Sequence, residues 1–196
     1  MENRYPSTHE AFSRMSPGMH QILKLLDGGD RRSIGRANEV VACVLKDPAL
    51  IDVLFSGLLL DNPLIRMRSA DVLEKVTLIH PEYLLPYREL LLGTLAGIEQ
   101  PEVRWHVAPM LVRIPLSERE QMAVVEILMS YMHAPSSIVK TFAMQALLDL
   151  GVQYEPLREL VLDAIREQLL DATPAMKSRG RKLLKRAEST GPATRR

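Results

Sequence analysis

Asp61-Asn-Pro-Leu-Ile-Arg-Met-Arg-Ser-Ala-Asp-Val-Leu-Glu-Lys-Val76 is the stretch that decides how the chain folds. An acidic residue, a capping Asn62 and Pro63 open it, and an apolar residue, Ile65, precedes the basic Arg66. Proline at the first helical position forfeits no hydrogen bond, and asparagine before it can cap. With Arg66 as anchor, equivalent positions elsewhere are Gly35, Arg104, Lys140 and Lys177. The residue before each anchor is apolar: Ile34, Ile65, Val103, Val139 and Met176. Three residues after come Asn38, Ser69, Val107, Ala143 and Gly180, and seven after come Ala42, Leu73, Leu111, Leu147 and Leu184. Ten after come Leu45, Val76, Ile114, Leu150 and Ala187. These offsets lie on one side of a helix with 3.6 residues per turn, so each copy is expected to bury one stripe.

The anchors are 31, 38, 36 and 37 residues apart, a spacing that fits a two-helix repeat unit. Ser16-Pro17, Asp47-Pro48, His80-Pro81, Gln100-Pro101, Ala134-Pro135, Glu155-Pro156 and Thr173-Pro174 read as further helix starts, and Ser117 with Glu120 as a capping box. Helices are therefore expected at 17–27, 32–46, 48–60, 63–79, 82–97, 101–114, 118–132, 136–150, 155–171 and 174–188, with Gly28-Gly29, Gly97 and Gly151 at helix ends. Pro86 and Pro109 break this scheme: Pro86 can mark the true start of its helix, with residues 81–85 as a leading turn, and Pro109 should kink its helix. Residues 1–15 are expected to be a flexible segment, 16–189 a single helical-repeat domain and 190–196 a disordered tail.

The acidic–Pro–Val/Ile–Arg opening at Asp61 to Val76 and at Glu99-Gln-Pro-Glu-Val-Arg104 resembles the second helix of the HEAT-repeat family. The likeness is looser at Pro135 to Leu150 and Asp171 to Ala187, and least at Asp30 to Leu45, where Gly35 takes the anchor. The resemblance implies an all-α, right-handed α-solenoid of about five helical hairpins. It also implies a ladder between repeats, for which Asp61/Arg66, Glu99/Arg104 and Asp171/Lys177 are the candidates. A fold of this kind names no activity.

Hydrophobic content of 46% with 25% charged residues is that of an ordinary globular chain. Cys43 is alone, which points to a reducing compartment. No run approaches the roughly 20 apolar residues of a membrane span. The polar start shows no signal peptide, and a cytoplasmic location is expected. The five histidines show no metal-ligand pairing, and His80 and His133 read as helix-end caps. Cys43 reads as a small packing residue and Gly28-Gly29 as a turn, not a phosphate loop. Met122, Met129 and Met132 read as core, and Asp71 and Glu74 as a solvated face. No catalytic residue, cofactor or metal is expected.

Trp105 carries the functional expectation. It lies one residue past its anchor, opposite the core stripe, and in the HEAT family that side of the second helix lines the concave surface. Met67, Arg68, Trp105, His106 and Pro109 together resemble an anchor for a partner peptide or helix. HEAT-like alkylpurine DNA glycosylases place tryptophans and an Asp on such a surface. Here Pro109 stands where the carboxylate would be, and no second tryptophan exists. The expected function is a non-catalytic scaffold for protein–protein interaction, with no membrane and no nucleic acid. The alternative is nucleic-acid binding through the last helix, whose basic patch is Lys177, Arg179, Arg181, Lys182, Lys185 and Arg186. From Met176 onward eight basic residues face one acidic residue, so the tail carries +7 and the rest −6. A solubilising end cap is the plainer reading of that patch.

Overall fold

The structure is a computed structural model that describes residues 20–30 and 33–189. The expectations for residues 1–15 and 190–196, and for a helix start at Ser16-Pro17, lie outside the described residues. Among the described residues all regular structure is helical. The helices are α1 (Gln21–Leu26), α2 (Ala37–Lys46), α3 (Ile51–Leu59), α4 (Pro63–Ile79), α5 (Arg88–Leu90), α6 (Pro101–Leu111), α7 (Glu118–Met132), α8 (Ser137–Gln153), α9 (Arg158–Leu170) and α10 (Pro174–Ser189). The chain forms two compact units that divide between Ile114 and Pro115. Among the described residues no helix is long and apolar enough to cross a membrane.

The starts follow from their caps. Asn62 Oδ1 accepts from the amides of Leu64 and Ile65 at 3.0 and 3.2 Å, with Pro63 opening the helix. Asp47 accepts from Ala49 N and starts a 3-10 turn, Pro48–Leu50, that leads into α3. Ser117 and Glu120 form both halves of the capping box, so two orphan donors of α7 are satisfied reciprocally. The expected helix at 82–97 is the exception. Pro86 has no N–H, and the chain runs as a 3-10 stretch, Pro81–Tyr87, through α5 into a π turn, Leu91–Leu95. That path still turns Leu84, Leu91 and Leu95 fully inward. Pro109 sits inside α6, which continues to Leu111.

In the first unit α4 is the central element, with α1, α2, α3, α6 and the 81–87 segment packed on it. Its stripe of Ile65, Ser69, Leu73 and Val76 is fully buried, as are Val103, Val107 and Leu111 on α6. Gly57 lets α3 cross close to α4: a Cβ there would strike Ser69 Oγ and come within 2.8 Å of Leu23 Cδ2. Tyr87 stacks on Phe55 with ring centroids 3.7 Å apart, and its hydroxyl donates to Asp52. In the second unit α8 takes the central place, with α7, α9 and α10 packed on it. Val139, Ala143, Leu147 and Leu150 form its buried stripe. Gly151 does not end this helix, which runs to Gln153. The missing side chain instead lets α9 approach, Arg158 Cα lying 3.4 Å from where a Cβ would be. Of the three methionines read as core, Met132 is buried and Met122 is exposed.

The first copy of the repeat is out of register by one residue. Ile34 and Leu45 are exposed, as are Asn38 and Ala42, whereas Ala37, Val40 and Val44 are fully buried. Gly35 has φ +55°, a left-handed turn that keeps the anchor out of the helix, and α2 begins only at Ala37. Counting helical offsets from Gly35 therefore fails.

The reason for that turn is Arg68. It is the largest fully buried side chain, 1% exposed, although sequence reasoning places it on a binding surface. Its Nη1 donates to the carbonyls of Leu26 and Gly28 at 2.8 and 2.7 Å. Nη2 donates to Asp30 O and Ser33 O, both at 3.1 Å, and Nε donates to Ser33 O at 3.2 Å. The guanidinium thus sits against the C-terminal end of α1, where carbonyl dipoles favour a cation, and gathers the loop between α1 and α2 around it. Gly35 lies flat against this group: a Cβ there would be 2.8 Å from Arg68 Cζ.

Two stability measurements test this core. Leu111→Ala should lower the urea midpoint by the equivalent of about 2–5 kcal/mol, as for a fully buried leucine. An unchanged midpoint would refute the repeat register. Arg68→Ala should cost at least about 3 kcal/mol, because several buried or half-buried carbonyls lose a charged donor. Arg68→Lys should recover only part of the loss, since an ammonium cannot reproduce the planar fork. Full rescue by lysine would show that charge alone matters there.

Candidate functional site

The face opposite the α4 core stripe brings α2, α4 and α6 together through polar side chains. Lys75 on α4 donates to Asp71 Oδ2 at 2.7 Å, one turn away, and to Asn38 Oδ1 on α2 at 3.1 Å. On the other side of Asp71, its Oδ1 lies 3.9 Å from His106 Nε2 on α6. Trp105 meets His106 edge-on, with ring centroids 5.8 Å apart. The result is one line, Asn38–Lys75–Asp71–His106–Trp105, across three helices. A second link lies alongside. Arg113 pairs with the Glu74 carboxylate, and its Nη1 donates to Glu74 O at 2.6 Å and to Thr77 Oγ1 at 3.1 Å.

Helix periodicity explains who faces this line. On α6 Val103, Val107, Met110 and Leu111 point into the core, which leaves Trp105, His106 and Pro109 half-buried on the remaining side. Of the five residues expected to form the binding face, these three are at the surface together. Met67 and Arg68 are not. Met67 is buried, and Arg68 is turned inward to the α1 end, so neither is available to a partner. Asp71 is no solvated carboxylate either, with a side chain 11% exposed. Asn38, Asp71 and Lys75 are the members that sequence reasoning missed. The Asp71/Lys75 spacing of four was a signal for their pairing, but only the fold brings Asn38 and His106 to them.

Charge on this face is internally balanced. The Asp71 and Glu74 carboxylates face the Lys75 ammonium and the Arg113 guanidinium. His106 is held below its ordinary imidazole value, chiefly by burial. Asp71 and Glu74 oppose the shift and Lys75 and Arg113 reinforce it. A neutral ring beside an indole gives a face able to bury an apolar anchor while keeping a polar edge. Among the described residues no group of three or more His, Cys, Asp or Glu is placed to hold a metal ion.

The basic anchors act elsewhere. Arg66 Nη2 and Nε donate to Leu60 O at 2.8 and 3.2 Å, and Arg104 Nε donates to Ile98 O at 3.0 Å. Both reach a carbonyl six residues back, beyond the end of the preceding helical segment. Asp61 stands 3.6 Å from Arg66 and is fully exposed, so its ion pair adds little beside those bonds. Gln100 joins adjacent copies, donating to Pro63 O at 2.8 Å. In the basic patch Arg179, Arg181, Lys182 and Lys185 are exposed and Lys177 is half-buried. The side chain of Arg186 lies outside those described.

Comparison of the chain with models of protein families, with curated proteins and with solved structures found no match.

The shift of His106 has a stability consequence. Its ring is harder to protonate in the folded protein than in the unfolded chain, whose value is near 6.5. Below that pH the unfolded chain binds more protons, so stability falls as pH falls; above it both forms are neutral and the contribution vanishes. Between pH about 7 and about 5.5, wild-type should therefore lose more stability than His106→Gln. Equal losses in denaturant titrations would remove this role.

Proposed function

We propose that the chain is a non-catalytic helical-repeat scaffold that binds a protein partner through the α2–α4–α6 face, with Trp105 as its anchor. The observation that carries this reading is the placement of Trp105. An indole that serves the core is packed away, as Phe55 and Tyr87 are in this unit. Trp105 instead is only half-buried, beside an equally half-buried His106, with Pro109 one turn on. Tryptophans in such settings dominate interface energetics, and the surrounding polar groups supply register more than affinity. Exposed Leu45 on α2 and Leu78 on α4 add apolar area to the same side as Asn38 and Lys75.

The repeat pattern supports a HEAT-like, right-handed solenoid of about five hairpins as the parent architecture. In this reading the second helices form the binding surface. Cys43 is a free thiol on α2, which fits a reducing, cytoplasmic setting.

Trp105 is the single tryptophan of the chain, so its fluorescence reports on the face directly. Partners captured by wild-type protein should shift its emission on binding, and Trp105→Ala should weaken their affinity by about tenfold or more while leaving thermal melting nearly unchanged. Partners recovered at equal yield by Trp105→Ala, or an emission spectrum indifferent to them, would refute the assignment.

A further inference from the structure

We propose that the outer arc of α10 is a second docking surface, for a short acidic polypeptide segment. The surface is separate from the Trp105 face and does not depend on it.

The arrangement of the helix comes first. At about 100° per residue, Met176, Gly180, Leu183, Leu184 and Ala187 fall in one narrow arc. Met176, Gly180 and Ala187 are buried, and Leu183 and Leu184 are half-buried. Gly180 permits the contact, since a Cβ there would strike the Leu169 side chain of α9. Arg158 on α9 ties down the far end by donating to Ala187 O at 2.6 Å. Lys177, Arg179, Arg181, Lys182 and Lys185 then occupy an arc of about 200°. Lys177, Arg181 and Lys185 run along it in steps of about 6 Å.

These cations lack the carboxylate partners that several other basic groups of the chain have. Arg36, Arg66, Lys75, Arg113 and Arg166 each stand in an ion pair. On α10 no ion pair involves Lys177, Arg179, Arg181, Lys182 or Lys185 among the described residues. Arg181 Nε only donates to the Lys177 carbonyl at 3.2 Å. The neighbouring α9 exposes Glu159, Asp163 and Glu167, and Asp163 is taken by Arg166. A solubilising cap needs charge, but not five cations of one sign gathered on one arc.

The size and surroundings of the arc select its occupant. α10 is 16 residues long, about 24 Å, which matches about eight residues of extended chain. A longer polyanion would run past the helix. There, residues 115–175 carry nine acidic side chains against four Lys and Arg, and would repel it. The described part of α10 holds no aromatic residue on which bases could stack. Its exposed arc shows no apolar side chain that could enter a lipid surface. A short carboxylate-rich segment meets none of these obstacles.

Fluorescence anisotropy on the full chain tests the proposal. The probes are a labelled peptide of about eight residues rich in Glu and Asp, its Gln/Asn counterpart, single- and double-stranded oligonucleotides, and phosphatidylserine vesicles, each at about 50 and 200 mM salt. The acidic peptide should bind, weaken as salt rises, and outcompete the other probes; the Gln/Asn peptide should not bind. Arg179→Glu with Lys182→Glu should weaken it at least tenfold, and Arg179→Gln with Lys182→Gln by less. Both pairs are exposed, and circular dichroism should confirm an intact fold. Trp105→Ala should bind the peptide as wild-type does, so failure at one surface is distinguishable from failure at the other. Absence of peptide binding would reduce α10 to an end cap. Tighter oligonucleotide or vesicle binding, lost with the same charge reversal, would replace the acidic partner with a phosphate-bearing one.

Discussion

A cation without water has to find donors' worth of acceptors, and the first unit is built around that demand. Arg68 loses its hydration on burial, a penalty of several kcal/mol for an ion of this size. Its planar fork meets four backbone carbonyls, at Leu26, Gly28, Asp30 and Ser33, which together replace the lost water. Those carbonyls belong to the end of α1 and the loop after it. A helix of six residues is too short to stand alone, so α1 depends on its packing against α4 and on this plug. The loop must curl to present its oxygens inward, which is why Gly28, Gly29 and Gly35 take positive φ. At Gly35 the constraint is doubled. The backbone needs the left-handed region, and the guanidinium occupies the space a side chain would fill.

The same helix that carries Arg68 sorts the rest of the unit by direction. Ile65, Ser69, Leu73 and Val76 face the core, Arg68 faces α1, and Asp71 with Lys75 faces α2 and α6. α4 is therefore occupied on most of its circumference, as a central helix should be. The polar line to Trp105 is a consequence of this sorting. Asp71 is closed off from solvent because α2 and α6 flank it. Its two oxygens then serve different neighbours, Lys75 on one and His106 near the other.

Local chemistry was legible in the sequence, and long-range chemistry was not. The bounds of α4 and α7 follow from Asn62-Pro63 and from Ser117 with Glu120, signals that act within one turn. The buried stripe read correctly in α4, α6 and α8, as Leu73, Leu111 and Leu147 show, whereas in α10 Leu184 is only half-buried. It failed at Gly35, because a positive φ interrupts the count and nothing nearby announces the distant arginine that requires it. Gly151 was misread for a related reason: glycine marks either a helix end or a close crossing, and only the position of α9 decides. On α6, the periodicity accounts for Trp105, His106 and Pro109 lying off the core stripe, where they are half-buried. Arg68 could not be placed that way. A helical wheel puts it beside Met67, whereas the carbonyls that claim it lie some forty residues back in the chain.

The near-zero net charge of the chain conceals two surfaces of different physical character. On the α2–α4–α6 face, carboxylates and cations are matched within hydrogen-bonding reach, so little field extends into solvent. In the proposed reading, recognition there comes from contact, from the area of an indole and the shape around it, and should tolerate salt. On α10 the basic side chains are left unmatched and project a field over about a Debye length, about 8 Å at physiological ionic strength. Under the proposal, recognition there would act before contact, favour encounter over fit, and fade as salt rises. The two kinds of recognition would be separable because they respond to different variables, ionic strength for one and buried apolar area for the other.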